Sequence, residues 1–129
     1  MNIDETLDFS PAYNSDGLIP CVVSCHETKD VLMVAYMNAE TIHLSLQTGE
    51  AHYWSRSRQE IWHKGATSGN TQIIRAMKVD CDQDCLLISV DMPKGKDGRV
   101  SACHTGRSSC FYRDIALTAD GDIQLIKSD

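Results

Sequence analysis

Two short clusters of metal-ligating side chains stand out in this sequence. Residues 103–110 read Cys-His-Thr-Gly-Arg-Ser-Ser-Cys, and residues 80–84 read Asp-Cys-Asp-Gln-Asp. Together they offer three thiols, three carboxylates and a histidine. Thiolates favour a borderline ion such as zinc, whereas grouped carboxylates favour a hard ion such as magnesium. A short chain with both kinds of ligand is expected to be a metalloenzyme.

The acidic cluster has alternating carboxylates. If the segment is extended, Asp80, Asp82 and Asp84 share one face and Cys81 points to the other. Three adjacent carboxylates repel one another unless a cation neutralises them. The alternative is a solvated acidic loop, because surface carboxylates are common. The pattern therefore predicts a cation site, and Cys81 is expected to ligate a different ion.

The cysteines of the two clusters lack the Cys-x2-Cys spacing of structural zinc modules. Three thiols, Cys81, Cys103 and Cys110, without an evident fourth ligand indicate an open zinc position where water binds. His104 is then a candidate general base or acid, with an ordinary turn histidine as the alternative.

A third segment, residues 54–70, combines cationic, hydroxyl-bearing and aromatic side chains. Arginine and lysine bind phosphate oxygens, hydroxyl groups and glycine amides complete such a cradle, and a tryptophan can stack on a base. The alternative is a solvated loop with core tryptophans. The candidate substrate-binding residues are Trp54, Arg56, Arg58, Lys64, Thr67, Ser68 and, beside the cysteine cluster, Arg107.

The composition limits the function classes. The chain has 129 residues, six cysteines and a net charge of −6. The acidic balance argues against general nucleic-acid binding but allows a small phosphorylated substrate. No apolar run approaches the roughly 20 residues that span a bilayer, and the N-terminus lacks the features of a signal peptide. A cytoplasmic protein with reduced cysteines is therefore expected, with Cys21 and Cys25 as small buried residues.

The elements that must position these groups form one strand-rich α+β domain, residues 1–129, with one main helix. Residues 1–15 are expected to be an irregular arm and residues 114–129 a C-terminal extension. Asn38 is a suitable N-cap for a helix from Ala39 to about Thr48, and Gly49 is its expected stop. The apolar side of this helix is expected to contain Ala39, Ile42, Leu44 and Leu46. Apolar runs predict strands at 21–25, 31–37, 52–55, 71–80, 86–90, 108–113 and 123–126, the first two as a hairpin.

The three blocks together resemble the phosphoribosyl-AMP cyclohydrolase family of histidine biosynthesis. The resemblance implies a hydrolase that opens the adenine ring of phosphoribosyl-AMP between N1 and C6, giving phosphoribosyl-formimino-aminoimidazole-carboxamide ribotide, and that depends on Zn²⁺ and Mg²⁺. The matching stretches are residues 16–20, 32–38, 52–58, 62–70, 80–84 and 102–113.

The resemblance also implies roles for single residues. Zinc ligands would be Cys81, Cys103 and Cys110, the magnesium ligands would be Asp80, Asp82 and Asp84, and His104 would be catalytic. The expected fold is a small mixed or antiparallel, pseudo-barrel-like domain in an intertwined homodimer, whose zinc ligands come from both subunits. Cys85 is expected to pack as an apolar residue and not to bind metal.

Three other functions could use cysteine and phosphate-binding residues of these types. A nucleoside deaminase would need His-x-Glu and Pro-Cys-x-x-Cys motifs, which this sequence lacks. A phosphate-binding module would have a closed, four-ligand structural zinc. A redox protein would use Cys103 and Cys110 as a switch and would contain no zinc.

Overall fold

The computed structural model describes residues 3–128, which form eight strands and one helix. The strands are β1 (Ile19–Cys25), β2 (Val31–Met37), β3 (His52–Ser55), β4 (Glu60–His63), β5 (Ile73–Val79), β6 (Leu86–Asp91), β7 (Arg113–Leu117) and β8 (Ile123–Lys127), and the helix is α1 (Ala39–Thr48). Residues 3–15, within the predicted arm, contain no helix or strand, and residues 1 and 2 of that arm lie outside the described residues.

One four-stranded mixed sheet organises the domain. Its order is β2-β1-β6-β5, with β1 antiparallel to β2 and parallel to β6, and with β5 antiparallel to β6. The strand pairs β3-β4 and β7-β8 form two separate hairpins. The strand-rich α+β prediction is confirmed. The pseudo-barrel prediction is not, because the sheets of residues 3–128 do not close into a barrel.

Helix α1 begins and ends where its sequence predicts. The Asn38 side chain accepts a hydrogen bond from the Thr41 amide at 2.8 Å, and the Asn38 amide donates to the Thr41 hydroxyl at 2.8 Å. This reciprocal pair satisfies two amides that a helix leaves open at its N-terminus. Gly49 ends the helix at φ 78°, a left-handed conformation that favours glycine.

The predicted apolar side of α1 is wrong in part. Ile42 is buried, but Ala39 and Leu46 are exposed, and the other buried positions are polar, Thr41 and Ser45. Ser45 can be buried because its hydroxyl accepts from the His52 amide at 2.9 Å and donates to the His52 carbonyl at 3.2 Å. A satisfied hydroxyl of this kind costs little in a core.

One predicted strand is wrong and one observed strand was not predicted. Residues 108–112 are irregular and do not form a strand, because the Cys110 amide donates to the Leu32 carbonyl and the Ser109 hydroxyl donates to the Val31 carbonyl. The strand starts only at Arg113. Strand β4 was not predicted, since its polar and apolar residues alternate over only four positions, and it is stabilised by pairing with β3.

The core lies on one face of the sheet, against α1 and β3. At its centre the fully buried Tyr53 hydroxyl donates to the side-chain oxygen of Gln72, which is also fully buried. The Gln72 amide donates to the sulfur atoms of Met33 and Met92 at 3.4 and 3.7 Å. The buried amide is therefore fixed from both ends.

We expect Tyr53→Phe to lower the free energy of unfolding by about 1–3 kcal/mol, because it leaves the buried Gln72 oxygen without a donor. Urea unfolding followed by circular dichroism measures this loss. Tyr36→Phe, at a half-buried tyrosine on β2, is the matched control and should change stability by less than about 0.5 kcal/mol. Equal effects of the two variants would contradict a structural role for the Tyr53–Gln72 bond.

Candidate metal centres and substrate surface

The acidic cluster occupies the tight turn between β5 and β6. The Asp80 amide donates to the Cys85 carbonyl at 3.0 Å, and the Gln83 amide donates to the Asp80 carbonyl at 3.0 Å. One Asp80 carboxylate oxygen accepts from the amides of Asp84 and Cys85 at 2.9 and 3.0 Å. The carboxylates therefore converge through a turn, and the extended segment assumed from the sequence is wrong.

The convergence itself is present. Ligand oxygens of Asp80, Asp82 and Asp84 all lie within 4.8 Å of one another, and the three residues are exposed. The hydrogen bonds that a protonated Asp84 donates to Asp82 and Asp80, with the repulsion of their charges, raise the pKa of Asp84 to about 6. Desolvation acts to raise the pKa of Asp80 as well, but hydrogen bonds from Asp84 and the Cys85 amide outweigh it and lower that pKa. A divalent cation would relieve the repulsion, so the donor set fits magnesium.

Gln83 interrupts the acidic run for a structural reason. Its side chain is buried, its oxygen accepts from the Ser10 amide at 2.7 Å, and its amide donates to the Asp8 carbonyl at 3.1 Å. The Gln83 carbonyl also accepts from the Ala12 amide at 2.7 Å. The backbone of Gln83 adopts φ 60°. The N-terminal arm is thereby attached to the turn that presents the three carboxylates, a role that sequence reasoning missed.

The second cluster brings Cys103 and Cys110 together. Cys103 starts a turn in which Gly106, at φ 90°, donates its amide to the Cys103 carbonyl at 3.0 Å. The Cys110 amide donates to the Leu32 carbonyl at 2.7 Å, which holds this thiol beside the edge strand β2. The two thiols are close enough for each to shift the pKa of the other. They thus form a pair that can bind a soft or borderline metal ion.

The surroundings of the thiol pair favour one thiolate. Desolvation acts to raise the pKa of Cys103, but the hydrogen bond from the Thr105 hydroxyl at 3.1 Å, the Cys110 thiol and the charge of Arg107 together lower it. Partial desolvation and the neighbouring Cys103 raise the pKa of Cys110 to about 11. A bound cation would remove this difference, because metal binding deprotonates both thiols.

Lys64 is not on the open surface that the sequence suggested. Its side chain is buried, and its ammonium group donates to the Ala102 carbonyl at 2.9 Å and lies 5.2 Å from the Trp62 ring centroid. Desolvation lowers the pKa of Lys64, opposed by the charges of Cys110 and Cys103. Lys64 therefore fixes the backbone of Ala102, the residue that precedes Cys103.

Cys81 lies far from this pair. It is exposed in the turn after β5, at one edge of the sheet, whereas Cys110 lies beside β2 at the other edge. Three strand spacings of about 4.8 Å separate the edges by roughly 14 Å. The two positions are also at opposite ends of the strands, because Leu32 is near the start of β2, level with Ser24 and Ser89, whereas the turn precedes Leu86. One chain therefore does not bring the three predicted zinc ligands together.

The other predicted site residues are spread over two surfaces. His104 is exposed in the turn next to Cys103. Trp54 and Arg56 line a cavity of about 330 Å³ with Tyr36 and Trp62, and the Arg56 guanidinium lies 4.2 Å from the Tyr36 ring centroid. Tyr36 was not among the predicted residues, since it lies within an apolar run. The remaining predicted residues are Arg58, exposed in the β3–β4 turn, Thr67 and Ser68, exposed in the 65–70 loop, and Arg107, whose guanidinium lies 3.9 Å from the Tyr112 ring centroid.

Gly65 fixes the start of the 65–70 loop. Its φ is 87°, and a Cβ atom there would lie 2.2 Å from the Thr71 backbone nitrogen. Only glycine permits this approach of two backbone segments. The loop that carries Thr67 and Ser68 is thus held against the chain that leads into β5.

The cysteines outside the two clusters occupy the places predicted for them. Cys21 and Cys25 are buried in the core, and burial raises the pKa of Cys21 to about 12. Cys85 is half-buried at the end of the acidic turn, with its thiol donating to the Leu86 carbonyl at 3.7 Å. Cys21 packs as an apolar group; desolvation acts to raise the pKa of Cys25 too, but hydrogen bonds from Thr28 and the Glu27 amide outweigh it and lower that pKa.

Comparison with known proteins gives one consistent result. The family model described as phosphoribosyl-AMP cyclohydrolase matches residues 33–112. A protein of that name from Rhodopseudomonas palustris is 48% identical over 128 residues, which cover 99% of this chain and 82% of the relative. The protein of the same name from Thioalkalivibrio sulfidiphilus is 50% identical over 115 residues, which cover 89% of this chain and 82% of the relative. The one from Brucella anthropi is 47% identical over 123 residues, which cover 95% of this chain and 84% of the relative. Within residues 3–128, no helix has the length and apolar character needed to cross a membrane.

Gln83→Ala should release the N-terminal arm from the acidic turn. The change removes both side-chain hydrogen bonds but keeps the Cβ atom, so the backbone conformation is equally strained in both proteins. We expect faster proteolytic cleavage within residues 3–12 and a loss of about 1–3 kcal/mol in the free energy of unfolding. Gln124→Ala, at an exposed position on β8, is the control. An unchanged cleavage rate for Gln83→Ala would show that the arm is held by other contacts.

Proposed function

The chain belongs to the phosphoribosyl-AMP cyclohydrolase family of enzymes, and we propose that it hydrolyses the N1–C6 bond of the adenine ring of phosphoribosyl-AMP with the help of zinc and magnesium. Water supplies the oxygen that bonds to C6, the N1–C6 bond breaks, and N1 leaves with a proton. The product is phosphoribosyl-formimino-aminoimidazole-carboxamide ribotide, and the reaction is a step of histidine biosynthesis. The observation that carries the proposal is 48% identity over 99% of the chain, in a structure that brings the three carboxylates together and has Cys103 close to Cys110.

The thiol pair fits one half of a zinc site. Cys103 and Cys110 supply two sulfur donors, and the separation of Cys81 from them supports a third donor from a second subunit. A zinc ion with three thiolate ligands and an open position would supply an activated water for attack on C6. Homodimerisation is thus part of the proposed active site, since neither subunit alone would complete it.

The residues around the thiols hold and balance them. The Thr105 hydroxyl donates to Cys103, and the buried Lys64 ammonium fixes the Ala102 carbonyl and supplies a positive charge beside both sulfur atoms. That charge compensates part of the negative charge that thiolate ligands accumulate. Lys64 therefore acts as a positioning residue, in place of the phosphate contact that its sequence context suggested.

His104 would transfer a proton in this reaction. Its side chain is exposed on the turn that starts at Cys103, which supports access to a substrate bound at the thiol pair. In the proposed reaction it takes a proton from the attacking water and delivers one to the departing N1 atom. General acid–base catalysis by a histidine contributes typically about 10²–10⁴-fold to a rate.

The two charged surfaces would hold the substrate's phosphates. Asp80, Asp82 and Asp84 would bind magnesium, which in turn would neutralise phosphate oxygens of the substrate. Arg56 and Arg58 on the β3–β4 hairpin and the hydroxyls of Thr67 and Ser68 are the proposed direct contacts, with Arg107 near the cysteines. Trp54, at the wall of the cavity beside Arg56, would stack on a ring of the substrate.

The first experiment follows ring opening of phosphoribosyl-AMP by ultraviolet absorbance, with magnesium present throughout. We expect a zinc chelator to abolish turnover and added zinc to restore it. Cys103→Ala should lose tight zinc binding and activity together, whereas Cys85→Ala, its matched control, should keep both. No turnover by zinc-loaded, dimeric protein, or full activity of zinc-free Cys103→Ala, would contradict the proposed function.

A second experiment tests whether zinc ligands come from two subunits. Cys81→Ala and Cys103→Ala should each be inactive, but a mixture that exchanges subunits contains heterodimers with one intact composite site. Random exchange should restore about a quarter of the wild-type activity, because half of the dimers then have one site of two. Cys103→Ala mixed with Cys110→Ala is the control and should stay inactive. No recovery in the first mixture would place all three ligands within one chain.

A further inference from the structure

A cavity of about 780 Å³ opens directly beside the thiol pair. Part of its lining is formed by residues 106–109, which belong to the turn between Cys103 and Cys110. Another part comes from the segment 95–101, which leads from β6 into this turn. The volume is in the range that holds a small organic ligand. The cavity is therefore placed to hold part of a molecule that reacts at the thiols.

The lining of this cavity is positively charged, although the whole chain carries a net charge of −6. Lys96, Arg99 and Arg107 line it together with the carboxylate of Asp97. Within residues 3–128, neither Lys96 nor Arg99 forms an ion pair, and both side chains are exposed. Cations that line a concave surface concentrate their field there and attract an anion.

The loop that carries Lys96 and Arg99 has a defined backbone. The Gly95 amide donates to the Arg99 carbonyl at 2.8 Å, and the Gly98 amide donates to the Gly95 carbonyl at 3.0 Å. The Asp97 carboxylate accepts from the Arg99 amide at 2.9 Å, so it helps to close the same turn. The backbone from which both cations extend is thus formed before a ligand binds, which lowers the entropy that binding must overcome.

Neutral groups of the lining suit a sugar phosphate. The hydroxyls of Ser101 and Ser108 make no side-chain hydrogen bond within residues 3–128, so they can donate to phosphate oxygens. Phe111, the residue after Cys110, is 60% exposed in the lining and offers an apolar surface to a ribose ring. Charge, hydroxyl groups and an exposed ring are therefore combined in one cavity.

The proposed substrate has a phosphate in the matching place. Phosphoribosyl-AMP carries two phosphomonoesters, one on the ribose bonded to N1 and one on the ribose of its AMP part. N1 belongs to the bond that breaks, so only one sugar separates the first phosphate from the reacting bond. The second phosphate lies beyond the whole adenine ring. With C6 at the thiol pair, the phosphate on the N1 ribose must lie near the turn at residues 103–110.

We propose that Lys96 and Arg99 in this cavity bind the phosphate of the ribose attached to N1. The Arg99 guanidinium can bind two phosphate oxygens at once, and Lys96 adds a second positive charge. The identity of this phosphate rests on the proposed function, because ring opening must take place at the thiol pair. Arg56 and Arg58 on the β3–β4 hairpin then remain for the phosphate of the AMP part.

The binding test uses ribose 5-phosphate, which has the sugar and the phosphate but no adenine. Titration of the metal-loaded protein is followed by amide NMR at Gly95 and Gly106, both in the cavity lining, so that other phosphate contacts do not enter the result. We expect Arg99→Gln and Lys96→Gln each to raise the dissociation constant by about 10-fold, because each removes a charge-assisted hydrogen bond. Ribose without phosphate should cause no comparable shifts.

Lys94→Gln is the matched control for both variants. It removes the same charge from the same loop, but Lys94 lies outside the lining of this cavity and its ammonium group pairs with the Glu27 carboxylate at 2.9 Å. The dissociation constant of ribose 5-phosphate should stay within about twofold of the wild-type value, because exposed charges outside the site are screened by salt.

Steady-state kinetics then identify the phosphate. With phosphoribosyl-AMP, Arg99→Gln should raise KM by about 10-fold and leave kcat within about twofold, because this phosphate is bound equally in the ground state and the transition state. Two analogues separate the phosphates: phosphoribosyl-adenosine keeps only the one on the N1 ribose, and ribosyl-AMP keeps only the other. The KM of the first should depend on Arg99, and the KM of the second should not.

Each result has a defined meaning. Absence of shifts in the wild type, or equal affinity in Arg99→Gln and Lys96→Gln, would overturn the proposal. An unchanged KM despite weaker ribose 5-phosphate binding would also overturn it and assign the cavity to a separate phosphorylated ligand. Both substituted side chains are exposed, so circular dichroism should show folded variants. Binding that depends on Arg99 and Lys96 in a wild type without ring opening would sink the proposed function and leave the phosphate site intact.

Discussion

The parallel pairing of β1 with β6 is the contact on which the rest of the structure depends. It joins segments that are far apart in the sequence, with Cys21 opposite Leu86 and Cys25 opposite Val90. Each of these strands carries its own antiparallel neighbour, β2 on one side and β5 on the other. Parallel pairing cannot arise from a short turn, and here the connection contains α1 and the β3–β4 hairpin. The two ligand clusters are therefore set at opposite corners of one rigid sheet.

This separation has an electrostatic benefit. Three carboxylates and two thiols carry up to five negative charges, and their repulsion would be severe in one pocket. At opposite corners, the negative charge of each cluster is balanced by its own neighbouring cations or hydrogen-bond donors. Lys64 and Arg107 lie close to the thiols, while backbone amides donate to Asp80 at the other end. The proposed dimer would then bring a thiol pair and an acidic turn together only across two chains, when cations are available to neutralise both.

Local features were readable from the sequence, whereas pairing between distant segments was not. Asn38 and Gly49 bound α1 because capping depends on residues a few positions apart. The strands around Val31–Met37 and Leu86–Asp91 follow from apolar runs. The exposure of Leu46 could not be read in this way, because the bond between Ser45 and His52 decides which side of α1 faces inward. Likewise, the sequence around residues 108–110 resembles that of a strand. The Ser109 hydroxyl and the Cys110 amide instead donate hydrogen bonds to carbonyl groups of the edge strand β2.

For the candidate sites, the residue types were predictable and their arrangement was not. The three aspartates and the two close cysteines stand out by spacing alone. The turn at Asp80–Cys85 depends on backbone hydrogen bonds. The alternating aspartates of the sequence do not reveal these bonds, because the same alternation is typical of a strand. The burial of Lys64 depends on Ala102, which lies 38 positions away.

The attachment of the N-terminal arm through Gln83 bears on how the protein is made. The side-chain bonds of Gln83 reach residues that precede it by 73 and 75 positions. During synthesis the arm leaves the ribosome before Gln83, which is added 73 to 75 positions after the residues that it binds. The arm, with the exposed side chains of Leu7 and Phe9, must therefore stay unattached while the intervening chain is made. It can dock only after the β5–β6 turn has formed, so a segment that is made before the sheet finds its place after it.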